Sequence, residues 1–485
     1  MRFKVILNTT GMILKYISLA FLLPVVFGLF YKEFASIHPF IITCILTYTL
    51  GYLFCLNDAS EKDIDTMNRT EAFAMVLSTW GMFALICSVP YLFFNLSPIN
   101  AIFEAVSGVS TTGATILSDF SLYPKTFFIY RSLTQWFGGM GIIVLFIAVL
   151  PKFAVAGRNM FFAEAPNPTE EKITPRIRHT ASWLWTIYLL LTIIQIISLK
   201  LLGLNLYDSI CTSLSTISAG GFSNHPESLI NFNPKLIWVI GFFAFLAGVN
   251  FLLTYKVLIK GQIKEIFKNE EFKTYFFIVL FFVLIISLIL YFQGNIPLAD
   301  SIRNAFFETS ATITSTGSSS VDYSTWPLRA QILLFVLMFI GGSAISAGGS
   351  IKISRWIYIF KFIKRELNKI VHPNAINPVK LEGKIVAPEI GHQIIIFVMF
   401  FIAIFAINSI LVAFIEQNSM LALTGSIATL SNTGPAFGNI IGPMGNYDSM
   451  NILTKLIFTF NMFVGRLEII PFLALFHKDL WQIRK

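Results

Sequence analysis

Four stretches of fourteen residues recur along the chain, each set between two long apolar runs, and they align without gaps on a shared glycine. Asn100 to Gly113 reads NAIFEAVSGVSTTG, Asp208 to Gly221 reads DSICTSLSTISAGG, Asn304 to Gly317 reads NAFFETSATITSTG, and Leu421 to Gly434 reads LALTGSIATLSNTG. The first and third copies share residues at Asn100/Asn304, Ala101/Ala305, Phe103/Phe307 and Glu104/Glu308. Consecutive anchors lie 108, 96 and 117 residues apart, the signature of an internal fourfold repeat. Each copy offers about ten helix-compatible residues, a rise of only about 15 Å, before a Ser/Thr-rich turn. That is too short to cross a bilayer, so the pattern predicts four segments that dip in and return.

The flanking runs require a bilayer. They cover about 72–95 and 127–150, 181–202 and 235–259, 275–292 and 328–358, and 393–415 and 452–476. Two more precede them, Ile13 to Phe30 and Pro39 to Cys55, which makes ten expected crossings. The first has no small-x-small cleavage site and is read as a retained span rather than a signal peptide. Only 13% of the 485 residues are charged against about a quarter in soluble chains, and mean hydropathy is +0.72. Ordinary soluble enzymes, disordered chains and disulfide-stapled domains are thereby excluded. Cys44, Cys55, Cys87 and Cys211 form no CxxC pair and read as buried free thiols.

The net charge of +9 is not a nucleic-acid signal, because the cations sit in loops between spans. One loop holds Lys152, Arg158, Lys172, Arg176 and Arg178, and the next Lys256, Lys260, Lys264, Lys268 and Lys273. A third holds Lys361, Lys364, Arg365, Lys369, Lys380 and Lys384, and the tail ends in Lys478, Arg484 and Lys485. The positive-inside rule places all of these, and both termini, in the cytoplasm. The short segments then enter from the outer side. The expected units are 1–71 (two spans and a connector), then repeats at 72–180, 181–274, 275–392 and 393–485.

Irregular backbone at membrane depth is tolerated where protein buries it or water lines it. Four such segments around one axis present rings of carbonyls, which replace the hydration shell of a monovalent cation. Aiming successive carbonyls inward requires a backbone angle that glycine adopts cheaply, and Gly113, Gly221, Gly317 and Gly434 supply it. The plainer reading, glycines for close helix packing, fits one copy better than four in register.

At these residues the chain resembles the Trk/Ktr/HKT superfamily of potassium transporters, and within it the TrkH type. STTGAT (Ser110–Thr115), SAGGFS (Ser218–Ser223), TSTGSS (Thr314–Ser319) and SNTGPA (Ser431–Ala436) look like its four filter segments, and WFGGMGIIVL (Trp136–Leu145) is similar to its first post-filter helix. The two extra N-terminal spans favour TrkH over the shorter KtrB type. The resemblance implies an all-α polytopic fold, with four M1–re-entrant half-helix–M2 repeats around a pseudo-fourfold pore plus two N-terminal transmembrane helices. It implies a K+ ion held by Ser110, Thr111, Thr112 and Gly113; Ser218, Ala219, Gly220 and Gly221; Thr314, Ser315, Thr316 and Gly317; and Ser431, Asn432, Thr433 and Gly434. It also implies a homodimer in the bacterial inner membrane, no organic cofactor, and a cytosolic nucleotide-binding regulatory subunit of the TrkA type. No GxGxxG or P-loop pattern is present in this chain.

Two further features bear on control. Arg466 stands mid-way along the last apolar run, where a charge is costly and marks function by default. It reads as a positive barrier below the filter, or as an ion-pair partner of Glu104, Glu308 or Glu468. The run from Leu328 to Ile359 is interrupted by IGGSAISAGGSIK (Ile340–Lys352), whose Gly341, Gly342, Gly348 and Gly349 do not hold a continuous helix. Ending at Lys352, it reads as an intramembrane gating loop or as a simple kink, and it looks like the family's gating loop. Glu104 and Glu308 either attract cations at the mouth or bond neighbouring backbone. Asp119, Asp322 and Asp448 either line an outer vestibule or form a solvated face. The function expected is potassium uptake through a selective pore, with no enzymatic constellation visible. A proton- or sodium-coupled symporter is the alternative.

Overall fold

The computed structural model describes residues 1–57, 69–141, 177–374 and 377–468, with Ala59, Asp63, Ile64 and Met67 between the first two stretches. The first basic loop through Arg176 and the tail at Lys478, Arg484 and Lys485 lie outside them, and of Arg178 only the backbone is described.

Helix α1 (Phe3–Ile17) runs through a 3-10 turn into α2 (Leu22–Phe30), and α3 (His38–Cys55) returns beside it. The first span therefore starts well before the expected Ile13. Asn8, Thr9 and Thr10 interrupt the apolar pattern but are buried. Asn8 Nδ2 donates to Asn57 O at 2.8 Å and Thr9 Oγ1 to Val5 O at 2.8 Å. Gly11 and Gly51 make the crossing close: a Cβ on either would lie 2.7–2.8 Å from the other's carbonyl oxygen. Among the four free thiols, Cys87 and Cys211 are buried while Cys44 and Cys55 are half-buried.

Four units follow. The first is α4 (Arg69–Phe93), α5 (Pro98–Val109) and α6 (Lys125–Gly139). The second is α7 (Ile177–Leu201), α8 (Leu206–Ile217), α9 (Pro234–Ala247) and α10 (Phe251–Leu258), with the short α11 (Lys264–Lys268) after it. The third is α12 (Glu270–Phe292), α13 (Leu298–Ile313), α14 (Leu328–Leu337) and α15 (Ile353–Val371), then a hairpin of β1 (Lys380–Leu381) and β2 (Lys384–Ile385). The fourth is α16 (Pro388–Glu416), α17 (Ser419–Leu430) and α18 (Ile452–Arg466). Each unit is thus a long helix, a short helix that stops inside, and a second helix leading away, which is the expected repeat.

The ten expected runs are not ten unbroken helices, and two of them, 127–150 and 452–476, continue beyond the described residues. Among the described residues six helices are long and apolar enough to span, or seven if the bent pair α9–α10 counts as one. The reason is common to all four units: the second helix stops part-way, at Gly139, Ala247, Leu337 and Arg466. Only the third break was legible as a glycine-rich stretch. At the second, α9 and α10 meet at 111°. The carbonyls freed there find donors from elsewhere: Ser343 N reaches Gly248 O at 2.8 Å and Ala347 N reaches Ala247 O at 3.2 Å. Asn250 caps α10 by accepting from Leu252 N at 2.9 Å. A phenol from the next long helix buttresses each of the first two breaks, Tyr188 Oη donating to Trp136 O and Tyr275 Oη to Phe245 O.

The second and third basic loops come together at one end of the bundle. Glu382, in the turn of the hairpin, accepts from the backbone of Glu270 and Glu271 at the start of α12. Lys361 on α15 pairs with Glu270.

Candidate ion pathway

The four short helices end in one motif. In each, the amide two residues past the cap reaches back five residues: Thr112 N to Ser107 O, Gly220 N to Ser215 O, Thr316 N to Ala311 O and Thr433 N to Ala428 O, all at 2.8–2.9 Å. This is a Schellman ending, which demands a left-handed residue in between. Thr111, Ala219, Ser315 and Asn432 take it, with φ of 55–58°. A non-glycine there costs about 1–2 kcal/mol. Two residues on, Gly113, Gly221, Gly317 and Gly434 are left-handed again, with φ of 69–88°.

These four turns close into a ring. A Cβ on Gly113 would lie 2.3 Å from Gly220 O, one on Gly221 1.8 Å from Thr316 O, one on Gly317 1.9 Å from Thr433 O, and one on Gly434 2.2 Å from Thr112 O. Each anchor thus presses on the carbonyl before the next unit's anchor, and the fourth returns to the first. All sixteen residues expected from the sequence are brought together here. The helix C-termini, with their partial negative charge, end at the ring.

Above it lies a cavity of about 130 Å³ lined by Gly113, Gly221, Gly317, Phe222 and Tyr447, and below it one of about 110 Å³ lined by Gly348, Gly349, Lys352 and Arg466. The expected intramembrane loop fills the lower side. Gly341 N donates to Ile351 O at 2.9 Å and Ile353 N to Gly342 O at 3.1 Å, closing the loop's neck. A Cβ on Gly348 would lie 2.6 Å from Thr314 O and one on Gly349 2.3 Å from Ser431 O, so the loop sits directly against the ring. Gly349 N donates to Ser315 Oγ at 2.6 Å. Lys352 Nζ turns back onto Gly348 O. Ala344 N is held by Glu271 Oε1 at 2.7 Å.

Arg466 reaches across this loop. Its Nη1 donates to Ala347 O at 2.8 Å, and its Nη2 to Gly138 O and Gly139 O at 2.6 and 2.7 Å. It therefore takes up carbonyls freed where α6 stops and ties them to the loop. Of the three carboxylates weighed as its partner, Glu468 is paired with Arg355 and Glu104 with Arg131.

Glu104 and Glu308 are struts rather than mouth charges. Both are at most 1% exposed. Glu104 accepts from Ile116 N at 3.0 Å and Glu308 from Ser320 N at 2.8 Å, twelve residues on in each case, bracing the strand that leaves the ring. Arg131, 1% exposed, adds a 2.6 Å ion pair to Glu104 and donates to Ser223 O in the second unit. Asp119 and Asp322 cap short turns through Ser121 N and Ser324 N, and Asp448 accepts from Asn100 Nδ2. The two hydrogen bonds from Ser121 hold the Asp119 carboxyl below the usual carboxylate range.

Reasoning from sequence missed Arg131, Gln135, Glu271 and Arg355. Arg131 carried the same signal as Arg466, a charge inside an apolar run.

The comparisons agree with this geometry. The chain matches the TrkH family profile, described as a cation transport protein, over residues 33–483. It is 33% identical to the Trk system potassium uptake protein TrkH of Salmonella typhimurium, over 99% of this chain and all of that one. It is likewise 33% identical to the Trk system potassium uptake protein TrkG of Escherichia coli, over 99% of each. The crystal structure of the potassium transporter TrkH from Vibrio parahaemolyticus superposes with a TM-score of 0.88 at 30% identity, over 99% of this chain and all of that one. The chain is a multi-span membrane protein that belongs to the TrkH family of cation transport proteins.

Proposed function

We propose that the chain takes up potassium across the bacterial inner membrane through a selective pore, with the carbonyl ring as its filter and the Ile340–Lys352 loop and Arg466 as its gate. The observation that carries this is the closure of four left-handed glycine turns, each against the next unit's carbonyl. A ring of carbonyls at the ends of four helices suits a cation that has shed its water. The relatives' names, which specify potassium uptake, support that choice of cation. A potential near −100 mV supplies roughly 2.3 kcal/mol per charge, so inward movement needs no chemical reaction.

The loop and Arg466 stand directly under the ring, so a cation leaving it meets both a steric block and a positive charge. Regulation belongs to a cytosolic nucleotide-binding partner of the TrkA type. The basic loops, read as cytoplasmic, are its docking surface, with both termini on that side and two copies of the chain forming a homodimer. The lysines at 256–273 and 361–384 support this, since the fold gathers them at one end.

Tracer flux of potassium and sodium into proteoliposomes tests the reading, with a potential imposed and no pH or sodium gradient. Potassium uptake well above sodium is the expected outcome. Flux that appears only with a coupling-ion gradient would replace the pore by the symporter.

A further inference from the structure

The second filter segment is built differently from the other three. In those, the residue before the anchor carries a hydroxyl bonded to the hydroxyl of the helix cap: Ser110 with Thr112 at 2.7 Å, Thr314 with Thr316 at 2.8 Å, Ser431 with Thr433 at 2.7 Å. Gly220 stands at that position in the second segment, and the cap hydroxyl of Ser218 donates instead to Ser215 O within its own helix. The vacant place is filled from another unit. Gln135 of α6 is fully buried, its Nε2 donating to Gly220 O at 2.6 Å and its Oε1 accepting from Phe222 N at 3.0 Å. One carboxamide thus holds the residues on both sides of the anchor Gly221. Its orientation is dictated by its partners, since a carbonyl only accepts and an amide N–H only donates.

Side chain and carboxamide exclude each other. A Cβ on Gly220 would lie 2.4 Å from Gln135 Cδ. Gly220 is absent from the left-handed residues, so its backbone accepts a side chain, and the three atoms nearest such a Cβ all belong to Gln135. Gly220 O also occupies the ring position that Thr316 O, Thr433 O and Thr112 O occupy in the other units. Of those four carbonyls it is the one with a side-chain amide donor, among the described residues. A carbonyl has two lone pairs, so one donor leaves the other free for an ion.

We propose that Gln135 is a positioning residue for ion selectivity, which replaces the threonine hydroxyl missing from the second filter segment and fixes the Gly220 carbonyl in the ring. The proposal rests on the reading of the ring as a cation filter. A carbonyl filter discriminates through the placing and field strength of its oxygens. An untethered Gly220 lets one oxygen in four move toward a smaller ion, and sodium is the smaller.

The test uses the full chain in proteoliposomes, with the potassium-to-sodium flux ratio as readout and detergent melting curves as the check on folding. Gln135→Met keeps the volume and removes both polar atoms. It is expected to lower the ratio about fivefold, the equivalent of one hydrogen bond. Gly220→Thr alone is expected to lower it at least as far, because its Cβ meets the carboxamide. The double variant Gln135→Ala/Gly220→Thr makes room for the threonine and lets it bond Ser218 as the other segments do. Its ratio is expected to return to within about twofold of the parent, the coupling expected of two residues in contact, and the flux ratio is the readout that a merely structural role does not move. A folded Gln135→Met variant with the parent ratio would overturn the proposal, and so would a double variant no more selective than Gly220→Thr. A parent chain that does not discriminate the two ions removes the filter reading itself, and that is seen before any variant is made.

Discussion

The ring and the layer beneath it are made by the same four repeats under opposite rules. In the ring every unit contributes the same backbone: a left-handed residue after the helix cap, then a left-handed glycine packed on the next unit's carbonyl. Below it the units diverge. The third supplies a fifteen-residue excursion between Leu337 and Ile353, the fourth a single arginine, and the first two only the ends of α6 and α9 that receive them. On the proposed function, the difference follows from the task of each layer. A spherical ion is best surrounded evenly, whereas an obstruction needs only one mobile piece and one latch. A single chain with four non-identical copies can satisfy both, as four identical subunits cannot.

The even layer predicts equal sensitivity. Alanine at Gly113, Gly221, Gly317 or Gly434 places a Cβ within 2.3 Å of a carbonyl oxygen on a left-handed backbone. The carbonyl must move, and the potassium-to-sodium flux ratio is expected to fall to near unity in all four variants. One variant that keeps full selectivity would break the fourfold reading.

The struts behind the ring are next in size, and they are unequal. Removing one partner of a buried ion pair costs about 3–5 kcal/mol, because the other charge stays buried. Arg131→Met is expected to cost that much, read as a lowered melting temperature of the solubilised chain. Glu308, whose oxygen accepts the amide and hydroxyl of Ser320, has no arginine in an ion pair with it among the described residues. Glu308→Gln is expected to cost about 1 kcal/mol. Equal losses at the two sites would show that Arg131 contributes packing, not charge.

What was legible divides along the same line. Membrane residence, the four repeats and the anchor glycines could be read because each is written locally, as hydropathy, spacing or residue type. Arg466 and the glycine-rich loop stood out as violations of an apolar run. The partners were not legible, since the groups that matter meet across units: Gln135 and Gly220 are 85 residues apart, Arg466 and Gly138 328. The break between α9 and α10 carries one glycine and one asparagine, and the distant loop satisfies its carbonyls. The left-handed Thr111, Ala219, Ser315 and Asn432 carry no glycine to mark them in the sequence. The Schellman ending of each short helix holds them there at a cost of about 1–2 kcal/mol each.

The uneven layer predicts effects confined to single residues. A unit charge beside the exit path, at an effective dielectric near 20, opposes a cation by about 2 kcal/mol. Arg466→Ala removes that charge and the latch on Ala347, and potassium flux is expected to rise roughly thirtyfold with the flux ratio unchanged. A fall in the ratio would mean that the two layers are not separable.

Ser315 is where the layers touch, so the smallest effect is the most informative. It is one of the four left-handed non-glycine residues of the ring, and its hydroxyl accepts from Gly349 N of the loop at 2.6 Å. Its counterparts are differently engaged: Ala219 has no polar side chain, and Asn432 Nδ2 donates to Thr112 Oγ1 and Met462 O. Ser315→Ala leaves the backbone angle unchanged in kind and removes one hydrogen bond, about 1 kcal/mol, from the state in which the loop lies against the ring. Basal potassium flux is expected to rise about fivefold while the potassium-to-sodium ratio holds. The same substitution in the Arg466→Ala background should add less, because a loop already released has less to lose. Full additivity would show that the filter and the latch hold the loop independently, and that the even and uneven layers communicate through the ion alone.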